Sequence, residues 1–193
     1  MKSWGYMIHS IRFTCVLDTN VIYPIEIRDF LFWLAFQDMY TPKWSMHIFD
    51  EWRKIMAEKG VTKKEIDKRI DNANKAFPDA LVQNYESLIS CIDLPDDKDR
   101  HVVAAAIKTN ANLIVTHNLK DFPNTTLYQF GLSAKNPDEF ITDLIDLDAE
   151  KALEAFQNLV LNRRKPEQDE FQVLDIFRNV GLKDTANFIH SLI

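Results

Sequence analysis

Four acidic residues stand where apolar segments end or helices begin. Asp18 closes VLD after the run Phe13–Leu17, Glu51 lies within SMHIFDEWRK, Asp99 ends DDKD, and Asp121 follows LIVT inside THNLKDF. Carboxylates packed within several ångströms of one another repel and raise each other's pKa, so a cluster of them is normally built around a cation. Hard oxygen donors select Mg²⁺ or Mn²⁺, which keep several waters and leave positions open to a phosphate oxygen. The chemistry this points to is metal-assisted work on a phosphate ester.

Each acid also has a plain structural reading. An aspartate after a strand caps a turn or helix, Glu51 fits a solvated helix face, and Asp96, Asp97 and Asp99 complement a helix dipole. Asp121 fits a cap on the turn before Pro123. Other chemistries are less well supplied. The histidines His9, His47, His101, His117 and His190 show no HExxH or Cys/His spacing, which argues against zinc. His101 and His117 read as packing or supporting groups rather than ligands. The chain has no P-loop, GxGxxG or GxSxG, and its four glycines leave little material for a phosphate-cradling loop.

Bringing the acids together requires a parallel sheet. The β-branched run Phe13–Leu17 reads as a strand buried on both faces, and a ligand-binding acid at its carboxyl end lies where open α/β sheets place their sites. Val21 to Met39 reads as a turn and a mostly buried helix around FLFWLAF, and MYTPKWS as a short strand or turn. Ser45 caps a helix from Met46 to about Lys59, ended by Gly60. Thr62 and Glu65 form a capping box for a charged helix to about Lys75, with Lys64, Lys68 and Arg69 on one face. The segment Asp79–Ile92 is ambiguous between helix and helix plus strand. Pro95 and the following acids open an alanine-rich helix, and LIVT is a second buried strand, so the pattern is βαβ. The carboxyl ends of both strands and the start of the alanine-rich helix then share one edge, with Glu51 reaching in from a neighbouring helix. Asn136–Pro137 starts a helix to about Leu147. Beyond it run helical stripes Leu153/Phe156/Leu159 or Val160 and Phe171/Leu174/Phe177. These need a partner: the domain's own core, a second copy, or a partner protein.

The chain has 193 residues, 46% of them hydrophobic, enough to bury one α/β core. A formal charge of −6 argues against a protein that coats nucleic acid by bulk electrostatics, but acids around a cation leave a local phosphate site open. The longest apolar run is too short to span a membrane, and MKSWGYMIHSIRF shows no export signal. Cys15 and Cys91 both read as buried, reduced thiols. The expectation is a soluble, cytoplasmic protein with no membrane partner.

Taken together, VLDTNV (Val16–Val21), SMHIFDEWRKIM, DDKDRHVVAAAI (Asp96–Ile107) and LIVTHNLKDFP (Leu113–Pro123) resemble the PIN-domain family, and within it the VapC-like ribonuclease toxins of bacterial toxin–antitoxin pairs. The resemblance implies a three-layer α/β/α sandwich with a central parallel sheet over residues 11–147, followed by a helical extension over 148–193. It also implies a metal-dependent endoribonuclease acting on single-stranded or structured RNA, with 5′-phosphate and 3′-hydroxyl products, an antitoxin partner and, as a further option, a homodimer. Carried over by position, Asp18, Glu51, Asp99 and Asp121 form the catalytic pocket, with Asp18, Asp99 and Asp121 as ligands of Mg²⁺ or Mn²⁺. Asn20 and Thr116 orient the carboxylates or a bound water. Many relatives have an acid where this chain has Asn118, so Asp121 or the Asn118 amide oxygen fills the fourth position; Asp96 competes with Asp99 for the third. Lys43, Arg53, Lys54, the Lys64/Lys68/Arg69 face and Arg163–Lys165 are candidate contacts to an RNA backbone, and Trp44 and Trp52 either stack bases or pack the core.

Three other readings compete, one of them a chain that acts chiefly as a binding partner, its C-terminal helices docking another protein. A second is a non-catalytic PIN-like module that binds RNA or protein. The third is a phosphotransferase of the haloacid-dehalogenase kind, whose pattern needs a second acid two residues after the first, where this chain has Asn20.

Overall fold

The computed structural model describes residues 13–164 and 166–193. All but the last residue of the stretch MKSWGYMIHSIRF, expected to carry no export signal, the first two residues of the expected nuclease domain, His9 and Lys165 lie outside them. Five parallel strands form one sheet in the order β3-β2-β1-β4-β5: β1 Thr14–Leu17, β2 Thr41–Ser45, β3 Leu81–Val82, β4 Leu113–Val115 and β5 Ser133–Lys135. The central strand β1 pairs Val16 with Lys43 on one side and with Ile114 on the other. Its Cys15, Val16 and Leu17 are fully buried, as expected of a strand covered on both faces.

The helices follow in order: α1 Thr19–Ile22, α2 Ile25–Phe36, α3 Met46–Glu58, α4 Lys63–Ala76, α5 Glu86–Ile89, α6 Arg100–Lys108, α7 Asn124–Leu127, α8 Pro137–Leu147, α9 Ala149–Asn162, α10 Glu170–Asn179 and α11 Lys183–His190. Right-handed crossovers from β1 to β2 and from β2 to β3 carry α2, α3 and α4 to one face; the crossovers to β4 and β5 run the other way and put α6 and α7 on the opposite face. The result is a three-layer α/β/α sandwich.

Local signals explain most boundaries. Ser45 accepts from the Ile48 N–H at 3.3 Å to open α3, and Gly60 at φ 79° ends its last turn. Thr62 caps α4, but the capping box is one-sided because the Glu65 carboxylate turns to Arg69 at 2.7 Å. Pro42 sits in an inner strand without leaving a gap. The Thr41 N–H already serves Phe13, while the two-residue β3 first meets β2 through the Trp44 N–H and Ala80 carbonyl at 3.0 Å, so no strand lies opposite the missing donor.

The C-terminal stripes find their partner in the domain's own core. Phe30 of α2 packs against Phe156 of α9 and Phe177 of α10, with ring centroids 6.3 and 5.1 Å apart. Phe171 does not belong to this stripe. It is 58% exposed, and Val173 takes the inward position beside Leu174. Asp138 of α8 accepts from the backbone N–H groups of Asp184 and Thr185 at 3.0 and 2.8 Å, tying the start of α11 to α8. Among the cysteines, Cys15 is buried as expected, whereas Cys91 is exposed after α5. No helix among the described residues is long and apolar enough to cross a membrane.

Candidate active site

Asp18 is the first residue beyond β1, and its N–H donates to the Val115 carbonyl at 3.1 Å, which fixes it beside the end of β4. Its side chain accepts three bonds of 2.7 Å: Oδ1 from the Thr19 N–H, and Oδ2 from the Asn20 amide and the Thr116 hydroxyl. The cap reading holds for Asp18, since the Thr19 bond opens α1. Burial pushes the Asp18 carboxyl above its ordinary value, and the Glu51 charge adds to this; the Thr116 and Thr19 bonds pull the other way.

Asn20 and Thr116 form a bracket around that carboxylate. The Asn20 amide also donates to Thr116 Oγ1 at 3.0 Å, and Asn20 Oδ1 accepts from the His117 N–H at 2.9 Å. Thr116 Oγ1 in turn accepts from the Asn118 N–H at 3.0 Å. The Asn118 side-chain amide donates to Asp121 Oδ2, so Asn118 steadies Asp121.

Glu51 does project inward from α3. Its Oε1 meets His101 Nε2 at 3.0 Å, and its Oε2 accepts from the Thr19 hydroxyl. Burial alone would raise its pKa. The hydrogen bonds from His101 and Thr19, with the electrostatic attraction of the neighbouring His101 and His47 rings, outweigh burial, so the carboxyl lies below its ordinary value.

Asp99 and Asp96 are told apart by their partners. Asp96 accepts from the Lys98 N–H at 2.9 Å and caps the short 3-10 turn Asp97–Asp99. Asp99 Oδ2 is buried without a hydrogen-bond partner. Its carboxyl is pushed up to about 6, by burial first and then by the charges of Asp18, Asp96, Asp121 and Glu51. Asp18, Glu51 and Asp121 therefore all press on Asp99, and Glu51 on Asp18 as well, a repulsion of the kind that a shared cation relieves.

The other candidates lie elsewhere. Trp44 and Trp52 are fully buried, Trp44 against Phe32, Phe49 and Phe77, so neither is a platform for bases. Lys43 donates to the Asp79 carbonyl, Arg53 pairs with Asp50 and Asp67, and Arg69 pairs with Glu65. A surface groove of about 610 Å³ along α4 alternates Lys63, Lys64, Lys68 and Lys75 with Asp67 and Asp71, and none of the four acids lines it. Arg163 bonds Gln168 at 3.2 Å beyond α9. Thr19, which stood inside the VLDTNV signal, is the residue of this cluster that sequence reasoning missed, while His101, beside Asp99 in DRH and read from the sequence as a packing or supporting group, supports Glu51.

Among the described residues no group of three or more His, Cys, Asp or Glu side chains is arranged as a ready-made metal cage. The donors nonetheless suit a hard cation. They are carboxylate oxygens, one of them buried and unpaired on Asp99, and Mg²⁺ characteristically uses one or two carboxylates and keeps its waters.

Comparison with known proteins adds three findings. A family model described as PIN domain matches residues 14–120, and one described as VapC50 C-terminal domain matches residues 137–191. Over 84 residues the chain is 39% identical to "Putative ribonuclease VapC50" of Mycobacterium tuberculosis (strain ATCC 25618 / H37Rv), a match that covers 42% of this chain and 49% of that relative. The chain thus aligns with about half the length of the curated relative. No solved structure matches significantly.

Proposed function

Since the chain belongs to the PIN-domain family, we propose that it is an endoribonuclease, the toxin of a toxin–antitoxin pair, acting in the cytoplasm on single-stranded or structured RNA. The observation that carries this reading is Asp99, whose Oδ2 is buried and unpaired and whose carboxyl is pushed up by burial and by the charges of Asp18, Asp121 and Glu51. The resemblance of its pieces to ribonuclease toxins, and the printed name of the mycobacterial relative, support it.

In this reading Asp18, Asp99 and Asp121 hold Mg²⁺ or Mn²⁺. A divalent ion bound there lowers the pKa of a coordinated water and offsets charge on the scissile phosphate. Asn20 and Thr116 aim Asp18 by donating to its Oδ2, and the Thr116 and Thr19 bonds oppose the rise that burial gives its pKa. Glu51, held below its ordinary pKa, is the proton acceptor for the attacking water. The water oxygen bonds to phosphorus, the bond to the 3′ oxygen breaks, and that oxygen takes a proton from solvent. Asn118 steadies Asp121 through its amide, and the helices after residue 147 complete the core behind the site.

The test is cleavage of labelled RNAs by the purified chain in Mg²⁺, Mn²⁺ or EDTA, beside Asp18→Asn and Asp99→Asn. Metal-dependent cutting lost in both variants supports the reading. Cutting that survives both assigns the activity to another site or to a contaminant.

A further inference from the structure

Glu51 is held from two elements at once. Thr19 in α1 donates to Oε2, and His101 in α6 lies 3.0 Å from Oε1. A glutamate carboxylate 41% exposed would otherwise sample a broad terminal torsion; here a rotation breaks one bond or the other. The proton on His101 is fixed by the same geometry. Its Nδ1 is buried and has no partner. A neutral ring protonated there would leave a buried donor unpaired and aim a lone pair at a carboxylate, whereas a proton on Nε2 resolves both problems. The ring plane is braced by stacking on His47, with centroids 5.2 Å apart and planes at 28°, and His47 Nδ1 is bonded to the buried Tyr85 hydroxyl.

We propose that His101 is a positioning residue. With Thr19 it clamps both oxygens of Glu51, so that the remaining lone pairs of that carboxylate face the other acids, and His47 and Tyr85 hold the imidazole in register. This rests on the nuclease reading, in which Glu51 accepts the proton. It assigns to the chain a supporting line, Tyr85–His47–His101–Glu51, that runs from beside β3 to the site. The Thr19 backbone N–H on Asp18 couples the line to a second acid.

The test uses the full chain. His101→Phe removes the donor while keeping a ring for the His47 stack, and His101→Gln restores an N–H near the Nε2 position. The expected result is a kcat lowered about 10–100-fold in His101→Phe with KM unchanged, mostly recovered in His101→Gln, and lowered again in Thr19→Val. An independent arm is ¹⁵N NMR of the imidazoles in metal-free wild type, expected to show the Nε2–H form of His101 and a changed Nε2 signal in Glu51→Gln. Unchanged kcat in His101→Phe, an equal loss with raised KM in both His101 variants, or an Nδ1–H ring would overturn the clamp. Should the Phe variant not fold, Thr19→Val and the tautomer decide it. A wild type that cuts no RNA sinks the nuclease reading, while the NMR arm still decides whether His101 holds Glu51.

Discussion

Thr116 and Asp18 stand 98 positions apart in the chain, yet the Thr116 hydroxyl donates to Asp18 Oδ2 at 2.7 Å across the ends of two paired strands. Thr116 is fully buried, and its oxygen also accepts from Asn20 and from the Asn118 N–H. Thr116→Val keeps the shape and removes the oxygen, leaving two half-buried donors, the Asn20 amide and the Asn118 N–H, short of an acceptor. We expect a loss of about 1–3 kcal/mol in urea unfolding. Because the hydroxyl lowers the Asp18 pKa, the acidic limb of any cleavage profile should also move to higher pH. A variant as stable as wild type would show that the bracket contributes little.

Asp99 gives stability a pH dependence of definite sign. Its folded pKa, about 6, exceeds the ordinary 3.8, so the native state binds this proton more tightly than the unfolded chain. The associated stability is fully present below pH 3.8 and is lost as the pH rises through about 6. In EDTA, the unfolding free energy of Asp99→Asn relative to wild type should therefore improve between pH 4 and 7 and level off above that. A flat difference would mean that Asp99 titrates as an ordinary surface acid.

Metal binding should show itself without any substrate. If Mg²⁺ or Mn²⁺ binds the folded acids only, the melting temperature at pH 7.5 rises with metal concentration, by an amount corresponding to about 2.7 kcal/mol at 100 times Kd. The shift should vanish in Asp18→Asn and in Asp99→Asn. Melting that ignores both metals would remove the cation from the proposed chemistry.

The tie between α8 and α11 predicts a local weakness. Asp138→Ala deprives the Asp184 and Thr185 N–H groups of their acceptor, at a cost of about 1–2 kcal/mol, typical of a lost helix cap. Amide exchange over Lys183–His190 should quicken more than exchange in β1. Uniform quickening would instead mean that α11 opens only with the whole domain.

Much of the site was legible because its acids lie next to strong local signals. Asp18 follows a β-branched run, Ser45 announces the helix that bears Glu51, and Asp99 opens an alanine-rich helix. The role of Thr19 and the partner of His101, which the sequence reads only as a packing or supporting group, depend on long-range contact. Nothing local says that Thr19 faces Glu51 across 32 positions or that His101 does so across 50. The strand β5, Ser133–Lys135, is a three-residue edge strand with no fully buried member, so it carries no apolar run to read. Phe171 and Cys91 matched their neighbours in polarity, but periodicity does not reveal which turn of a short helix meets the core. Trp44 and Trp52 show the converse: large aromatics near a basic helix invited a binding role and went to the interior.

The strand order has a consequence for biosynthesis. β1 is made early, but the neighbour that completes the Asp18 bracket, β4, begins only at Leu113, and Asp99 and Asp121 sit on either side of it in the chain. A ribosome that has released fewer than Thr116 has therefore exposed Asp18 and Glu51 without the residues that aim and couple them. The proposed site is therefore incomplete until Asp121 has emerged, a delay written into the topology rather than into any separate inhibitor.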